Sequence, residues 1–147
     1  MSRDESGQLT PLIIGFALIV VLTVTVVANA SNAFLHRRSL TSWADGAATA
    51  ATQQVAEHVV YTGRLGETLP VAEDEARAAV LDYVGRQGLA ERFDQFAVVT
   101  VSVDGTTGAV TVEFAARVPL VWASETTSGF GGGIPVFART TAVSPLR

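Results

Sequence analysis

The segment from Leu9 to Leu35 constrains the fold more than any other part of the chain, because it contains no charged side chain. It reads LTPLIIGFALIVVLTVTVVANASNAFL and lies between an acidic turn, Asp4-Glu5, and a basic cluster that ends at Arg38. A helix needs about 20 mostly apolar residues to cross a hydrocarbon layer of about 30 Å. The segment therefore predicts a membrane-spanning helix, with Pro11 in its first turn.

A cleavable signal peptide is the alternative interpretation of this segment. Signal-peptide cores are usually about 7–15 residues long and follow a positively charged stretch. This segment is longer and follows Arg3-Asp4-Glu5, although Ala28-Asn29-Ala30 resembles a cleavage site. Its length favours a retained anchor.

Composition excludes several classes of protein. The net charge of −4 and the isoelectric point near 5.0 argue against a nucleic-acid partner, which normally requires a basic surface. The absence of cysteine excludes disulfides and thiolate metal sites. Of the 147 residues, those outside the apolar segment suffice for one small domain.

The helix is predicted to continue beyond the membrane. From Ala30 to Val60 there is no proline and the only glycine is Gly46. Apolar or small residues recur at the three-four spacing of one helical face. These are Leu40, Ala44, Ala47, Ala48, Ala51, Val55 and Val59.

Two interpretations of the small residues on this face remain open. Alanine is a strong helix former, so the stripe can simply cover the protein's own sheet. Alternatively, it lets sister subunits approach closely, in which case Ala48→Leu would disturb assembly more than folding. The candidate helix-packing residues are Gly15, Ala17 and Asn29 in the span and Ala44, Ala47, Ala48 and Ala51 beyond it.

The C-terminal part predicts a second helix followed by a small sheet. The helix begins near Val71, carries Glu73-Asp74-Glu75 in its first turn, and ends at Gly88 in a left-handed cap. A period of two then predicts a hairpin connected by residues 104–108 and a last strand over Pro135–Val143. The faces predicted to point the same way are Ala97, Val99, Val101 and Val103 in one strand and Val110, Val112, Phe114, Ala116 and Val118 in the next.

These elements define an α+β, pilin-like architecture with a small antiparallel sheet packed on the long helix. The predicted divisions are a tail at 1–8, a transmembrane helix at 9–35, its extramembrane continuation at 36–62, and an α+β domain at 63–147. Residues 61–70 and the glycine-rich run at 124–133 are predicted to be loops.

No pattern in the sequence indicates catalysis. The two histidines, His36 and His58, have no second histidine or cysteine at metal-ligand spacing. The glycine-rich run lacks the lysine and helix of a phosphate loop, since Ile134 and Pro135 lead into a strand. We therefore expect no catalytic, cofactor-binding or metal site, no small-molecule substrate, and no enzyme activity.

The stretch from Arg3 to Ala51 resembles the N-terminal region of actinobacterial TadE/TadG-like proteins of the tight-adherence (Flp/Tad) pilus system. The similar features, in order, are the Asp4-Glu5 and Gly7-Gln8 turn, the β-branched apolar helix, Asn29-Ala30-Ser31, Arg37-Arg38, Leu40 and the run from Ala44 to Ala48. The resemblance implies a minor pilin or pilus-assembly component, anchored in the cell membrane by a single span with its C-terminal domain outside. Its implied partners are the lipid bilayer and other pilus subunits, and its implied processing site is Gly7-Gln8.

Two features bear on that implication. Pilin-like members carry glutamate at the fifth position after the cleavage-site glycine, where this chain has Leu12; this favours the membrane-retained, TadG-like side of the family. Arg37 and Arg38 lean toward a cytoplasmic domain by the positive-inside rule, but long domains translocate largely regardless of flanking charge. The alternative function is a membrane-tethered extracellular binding module unrelated to pili, with the helix as its stalk.

Overall fold

The computed structural model describes residues 6–62, 69–120 and 133–143. The helices in these ranges are α1 at Ser6–Thr62, α2 at Leu69–Gln87 and the short α3 at Leu89–Arg92. The strands are β1 at Asp94–Val103, β2 at Val110–Val118 and β3 at Ile134–Ala142. The predicted α+β class is confirmed. Of the loop predicted at residues 61–70, residues 61–62 and 69–70 are helical instead. The remaining predicted loop residues, 63–68 and 124–132, lie outside the described residues.

Helix α1 is continuous over 57 residues, which corresponds to a length of about 85 Å. The expectation that it runs on beyond the apolar segment is therefore confirmed. The expected place of Pro11 was wrong: α1 begins at Ser6, so Pro11 lies in the second turn. Proline has no N–H, so the carbonyl of Gly7 lacks its usual donor four residues later.

The three strands form one antiparallel sheet in the order β1-β2-β3, and α1 and α2 pack against it. Strand β2 lies in the centre and alternates strictly between buried and half-buried residues, as predicted. Its buried residues Val110, Val112, Phe114, Ala116 and Val118 join the core residues of α1 and α2 in one cluster. The part of α1 from Leu40 to Val55 is thus the structural centre of the domain.

A β-bulge in β1 corrects the predicted faces of that strand. Val98 pairs with Phe114 and Thr100 pairs with Glu113, so Val99 has no partner across the ladder. A single extra residue reverses the faces of the strand on one side of it. Val98 consequently packs against the core, whereas Val99 is 52% exposed. Ala97, expected to point inward with Val99 and Val101, is exposed as well.

Alanine substitutions at these neighbouring valines test the bulge. We expect Val98→Ala to reduce the free energy of unfolding by about 1 kcal/mol through lost apolar burial, and Val99→Ala to change it by less than about 0.5 kcal/mol. Thermal melting of the full chain in detergent micelles, followed by near-ultraviolet circular dichroism, measures both. A larger loss at Val99 than at Val98 would mean that the strand pairs without the bulge.

The end of α2 follows the predicted cap, whereas its start differs. The helix begins at Leu69, so Glu73-Asp74-Glu75 occupies its second turn rather than its first. Gly88 adopts the expected left-handed conformation with φ 61°, and its N–H donates to the Gly85 carbonyl at 3.2 Å. Leu89 is fully buried and begins α3, which had no signal in the sequence pattern.

Asp104 organises the turn between β1 and β2. Its Oδ1 accepts hydrogen bonds from the Thr106 N–H at 2.9 Å, the Thr107 N–H at 2.7 Å and the Thr107 hydroxyl at 2.9 Å. The hydrogen bonds from Thr107 and Thr106 stabilise the carboxylate and lower the pKa of Asp104 below its ordinary value of 3.8. The predicted hairpin at residues 104–108 is therefore confirmed, with a side chain that specifies the turn.

This lowered pKa predicts an acid-dependent loss of stability. The contribution of Asp104 is fully present above the unfolded-state pKa and decreases as the pH falls through the lower folded-state pKa. We expect the melting temperature to exceed that of Asp104→Ala near neutral pH, and the difference to shrink below pH 3.8. Asp104→Asn is the control, because it retains an acceptor oxygen but does not titrate. A difference between wild type and Asp104→Ala that stays constant at acidic pH would contradict the assignment.

Gly133 precedes β3 at a position that another residue would strain. Its φ is 149°, and a Cβ atom built there would lie 2.6 Å from the Val118 carbonyl oxygen. Strand β3 can therefore pair with β2 from Ile134 onward because Gly133 lets the two backbones come this close.

Candidate functional site

The N-terminal half of α1 exposes apolar side chains around its whole circumference. Its most apolar 18-residue window has a mean hydropathy of 2.7, and none of that window is buried by the rest of the chain. A core helix of a water-soluble protein buries such side chains, because each Å² of apolar surface left in water costs about 25 cal/mol. Within the described ranges, α1 is the one helix long and apolar enough to cross a membrane.

Polar groups within this half of α1 bond to its own backbone. The hydroxyls of Thr23 and Thr25 donate to carbonyls one turn earlier, each at 2.8 Å. The amide of Asn29 donates to the Thr25 carbonyl at 3.0 Å. These bonds supply the partners that hydrocarbon would not, so three polar residues are compatible with a lipid environment.

The predicted helix-packing residues fall into two groups. Gly15 and Ala17 lie on the exposed part of α1, and a Cβ atom at Gly15 would meet no other part of the described chain within 4 Å. Ala44, Ala47, Ala48 and Ala51 are completely buried in the domain's own core. This placement favours the first interpretation of the stripe, in which small side chains let α1 approach its own sheet and α2.

Within the described residues, the domain contacts α1 at Asn32. The Nδ2 of Asn32 donates to the Pro119 carbonyl, just beyond the end of β2, at 3.2 Å. The sequence pattern had assigned residues 32–35 to the span, and this contact places protein beside the helix there. No sequence signal links these residues, because 87 positions separate them.

Aromatic and basic side chains lie along α1 over the three turns above this contact. The rings of His36 and Phe93 meet edge to face with centroids 6.1 Å apart. The guanidinium of Arg92 lies over the ring of Trp43, 5.5 Å from its centroid. We name this set the exit collar, and it consists of Phe34, Leu35, His36, Arg37, Arg38, Trp43, Arg92 and Phe93.

The exit collar contains open hollows rather than an enclosed pocket. One, of about 480 Å³, lies between α1 and α3, and another, of about 470 Å³, lies between α1 and β3. The first is lined by Asn32, Leu35, His36, Ser39, Trp43, Arg92 and Phe93; the second by Ala33, Phe34, Arg37, Ile134, Pro135, Val136 and Phe137. Sequence analysis identified Arg37 and Arg38 as flanking charges but missed Arg92, which only the packing of α3 brings to Trp43.

Chemistry-bearing groups do not converge elsewhere in the described residues. No group of three or more histidine, cysteine, aspartate and glutamate side chains there could hold a metal ion. His36 packs against Phe93, the side chain of His58 lies outside the described set, and the lowered pKa of Asp104 is explained by its turn. The helix and its exit are therefore the features to which a function can be assigned.

Comparison with known proteins supports a function for the same helix. Residues 7–54 match the family model Tad, that of Flp pilus-assembly TadE/G-like proteins. The match runs from the start of α1 through its apolar half to the buried alanine stripe, and it confirms the resemblance in the sequence. No curated protein and no solved structure matches the chain.

Proposed function

We propose that this chain is a membrane-retained assembly component of a Tad/Flp-type pilus, because residues 7–54 match the model of Flp pilus-assembly TadE/G-like proteins. Its α+β domain would lie outside the membrane and contact other pilus subunits. The minor-pilin role is the closest variant of this proposal. Leu12, in place of the glutamate of processed pilins, favours the membrane-retained form.

The observation that carries the proposal is the continuity of α1. One helix contributes both the exposed apolar segment and the centre of the domain core, without a loop between them. A flexible linker would let a tethered module move independently of its anchor. A continuous helix instead fixes the orientation of the domain relative to the membrane, as an assembly of neighbouring subunits requires.

The contact between Asn32 and Pro119 supports a limit for the span. The hydrocarbon layer has to end below this contact, because a domain loop would otherwise enter lipid. Residues 9–31 then remain for the membrane, and at 1.5 Å per residue they cover about 35 Å. This length is slightly greater than the thickness of a hydrocarbon layer, which is about 30 Å.

The surfaces available for subunit contacts are those that the domain leaves open. We propose that lateral packing within the membrane uses the smooth patch at Gly15 and Ala17. Outside it, the face of the sheet opposite the helices exposes Phe137 and Val99. The four buried alanines contribute indirectly by holding α1 close to the sheet.

The proposal is tested by the intact mass of the membrane-extracted protein, combined with protease accessibility of cells whose wall has been removed. We expect a full-length mass and a domain that is digested from outside. A mass that corresponds to a chain beginning at Gln8 would indicate a processed pilin instead. A mass that corresponds to a chain beginning near Ser31 would indicate a cleaved signal peptide. A domain protected from external protease would overturn the outside orientation.

A second experiment addresses assembly itself. Crosslinking in cells should join the chain to pilus subunits, and Ala17→Leu should reduce those crosslinks while leaving the melting temperature unchanged. Crosslinks that persist in this variant would exclude the Gly15 and Ala17 patch as a contact. The lack of any crosslink to pilus subunits would contradict the assembly role.

A further inference from the structure

We propose that the exit collar binds the phosphodiester headgroups of anionic phospholipids and so holds the domain against the membrane surface. This inference rests on the membrane-anchor part of the proposed function, and not on the pilus-assembly part. It assigns a ligand class, an anionic headgroup, to side chains that the anchor itself does not require.

The cations at the exit have the geometry that phosphate binding favours. Every basic side chain other than histidine in the sequence is an arginine, and three of these, Arg37, Arg38 and Arg92, lie in the collar. A guanidinium group can donate two parallel hydrogen bonds to one phosphate, which an ammonium group cannot. Their concentration here contrasts with the net charge of −4 of the whole chain.

These arginines are available to a ligand. Arg37 and Arg38 are exposed, and neither makes an ion pair with any residue in the described ranges. Arg92 is positioned by its Nε, which donates to the Gln87 carbonyl at 3.1 Å, and by the Trp43 ring beneath it. Both contacts fix the side chain while leaving its terminal nitrogens to donate elsewhere.

The height of Arg37 along α1 corresponds to the headgroup layer, whereas Trp43, which carries Arg92, lies about 16.5 Å above Asn32 and so beyond that layer. Arg37 lies five residues above Asn32, which is about 7.5 Å along the helix. The headgroup region extends about 5–7 Å beyond the hydrocarbon on each side. Phe34 and Leu35, both more than 60% exposed, lie between the two levels and provide the apolar boundary on which arginine and aromatic groups commonly sit.

Nearby acidic groups do not cancel this surface. Asp45 lines the hollow of Arg37 and Arg38, but it lies about two turns farther from the membrane and accepts the hydroxyl of Thr140. Asp94 lies opposite Arg117 in the sheet register, and exposed Glu91 precedes Arg92. Arg37 and Arg38 therefore lie on the membrane side of Asp45 along α1, with no carboxylate of α1 between them and Asn32.

The test uses the full chain in mixed micelles that contain phosphatidylcholine and phosphatidylglycerol. Native mass spectrometry gives the ratio of the two lipids that remain bound. We expect phosphatidylglycerol to be enriched over its share of the mixture, with Arg37 and Arg38 each contributing about a fivefold preference. Arg37→Gln with Arg38→Gln should therefore lower the enrichment about twenty-five-fold, whereas Arg92→Gln should lower it less, because Trp43 holds Arg92 farther from the membrane.

Arg77→Gln is the matched control, because it removes the same charge from an exposed arginine outside the exit collar. Arg77 lies on α2, six residues before Tyr83, the residue of that helix that contacts Trp43. It should leave the lipid ratio unchanged. Circular dichroism of each variant checks that the domain is folded. An unchanged enrichment in the folded Arg37→Gln, Arg38→Gln variant, or an equal fall in Arg77→Gln, would overturn the proposal.

Two further outcomes separate the possible failures. Displacement of the bound lipid by inorganic phosphate at low concentration would mean a free-phosphate site and would overturn the choice of lipid. A chain that does not partition into micelles or vesicles would refute the membrane anchor itself. A chain that inserts but shows no lipid preference would refute only this inference.

Discussion

Ala48→Leu is expected to destabilise the domain by about 1–3 kcal/mol, because the core around α1 has no space for three additional carbon atoms. Ala48 is completely buried, as are Ala44 and Ala51 on the same face of the helix. The larger side chain would push α1 away from the sheet and from α2. Because Ala48 is buried within the chain, we expect this variant to affect folding at least as much as assembly, as the first interpretation of the stripe implies.

The matched control is Ala17→Leu, the same exchange on the same helix in its exposed apolar half. Its effect on the melting temperature of the full chain in micelles should be close to zero. Crosslinking to partner subunits should decrease in Ala17→Leu even though this protein remains folded. An Ala48→Leu protein that melts like wild type but loses its crosslinks would restore the interpretation in which the alanine stripe contacts other subunits.

Phe114→Ala is expected to have the largest effect on stability, about 3–5 kcal/mol. Phe114 lies in the central strand, has no exposed surface, and is the largest fully buried side chain among the described residues. Its ring meets Phe96 edge to face at 5.1 Å and lies opposite Val98 in the ladder. Truncation would remove this contact and leave a cavity that the surrounding strands and α1 can fill only in part.

Phe137→Ala is the control for this substitution. Phe137 lies in the adjacent strand but is 55% exposed on the opposite face of the sheet. We expect its truncation to change the free energy of unfolding by less than about 0.5 kcal/mol. Denaturant titration of both variants measures the difference, and similar losses at the two positions would contradict the assignment of the inner face.

The two halves of α1 are subject to different physical constraints. In the apolar half, the side chains can be buried only by surroundings outside the chain. Substitutions there should therefore affect membrane insertion and contacts between subunits. In the half that begins at Leu40, the rest of the chain accepts them, so substitutions should act on folding. Because one helix joins the halves, a displacement of the anchor would be transmitted to the domain without a hinge.

The sequence alone determined the elements whose signals are local. A long charge-free segment specifies an exposed apolar helix, and a period of two over 110–118 specifies a central strand. Gly88 and residues 104–108 specify a helix end and a hairpin turn through their own backbone and side-chain chemistry. The Tad family resemblance, too, depends on the order of residues along one helix.

Only the tertiary structure decided which part of the domain lies beside Asn32 of α1 and what the alanine stripe contacts within the chain. A helical stripe of small residues is the same pattern whether a sheet or another subunit covers it, so burial had to distinguish the two. The bulge at Val99 is a property of strand pairing, and it reversed a face that periodicity alone had assigned. The contacts of Asn32 with Pro119 and of Arg92 with Trp43 join residues distant in sequence, and such pairs become neighbours only when the sheet and α3 pack against the helix.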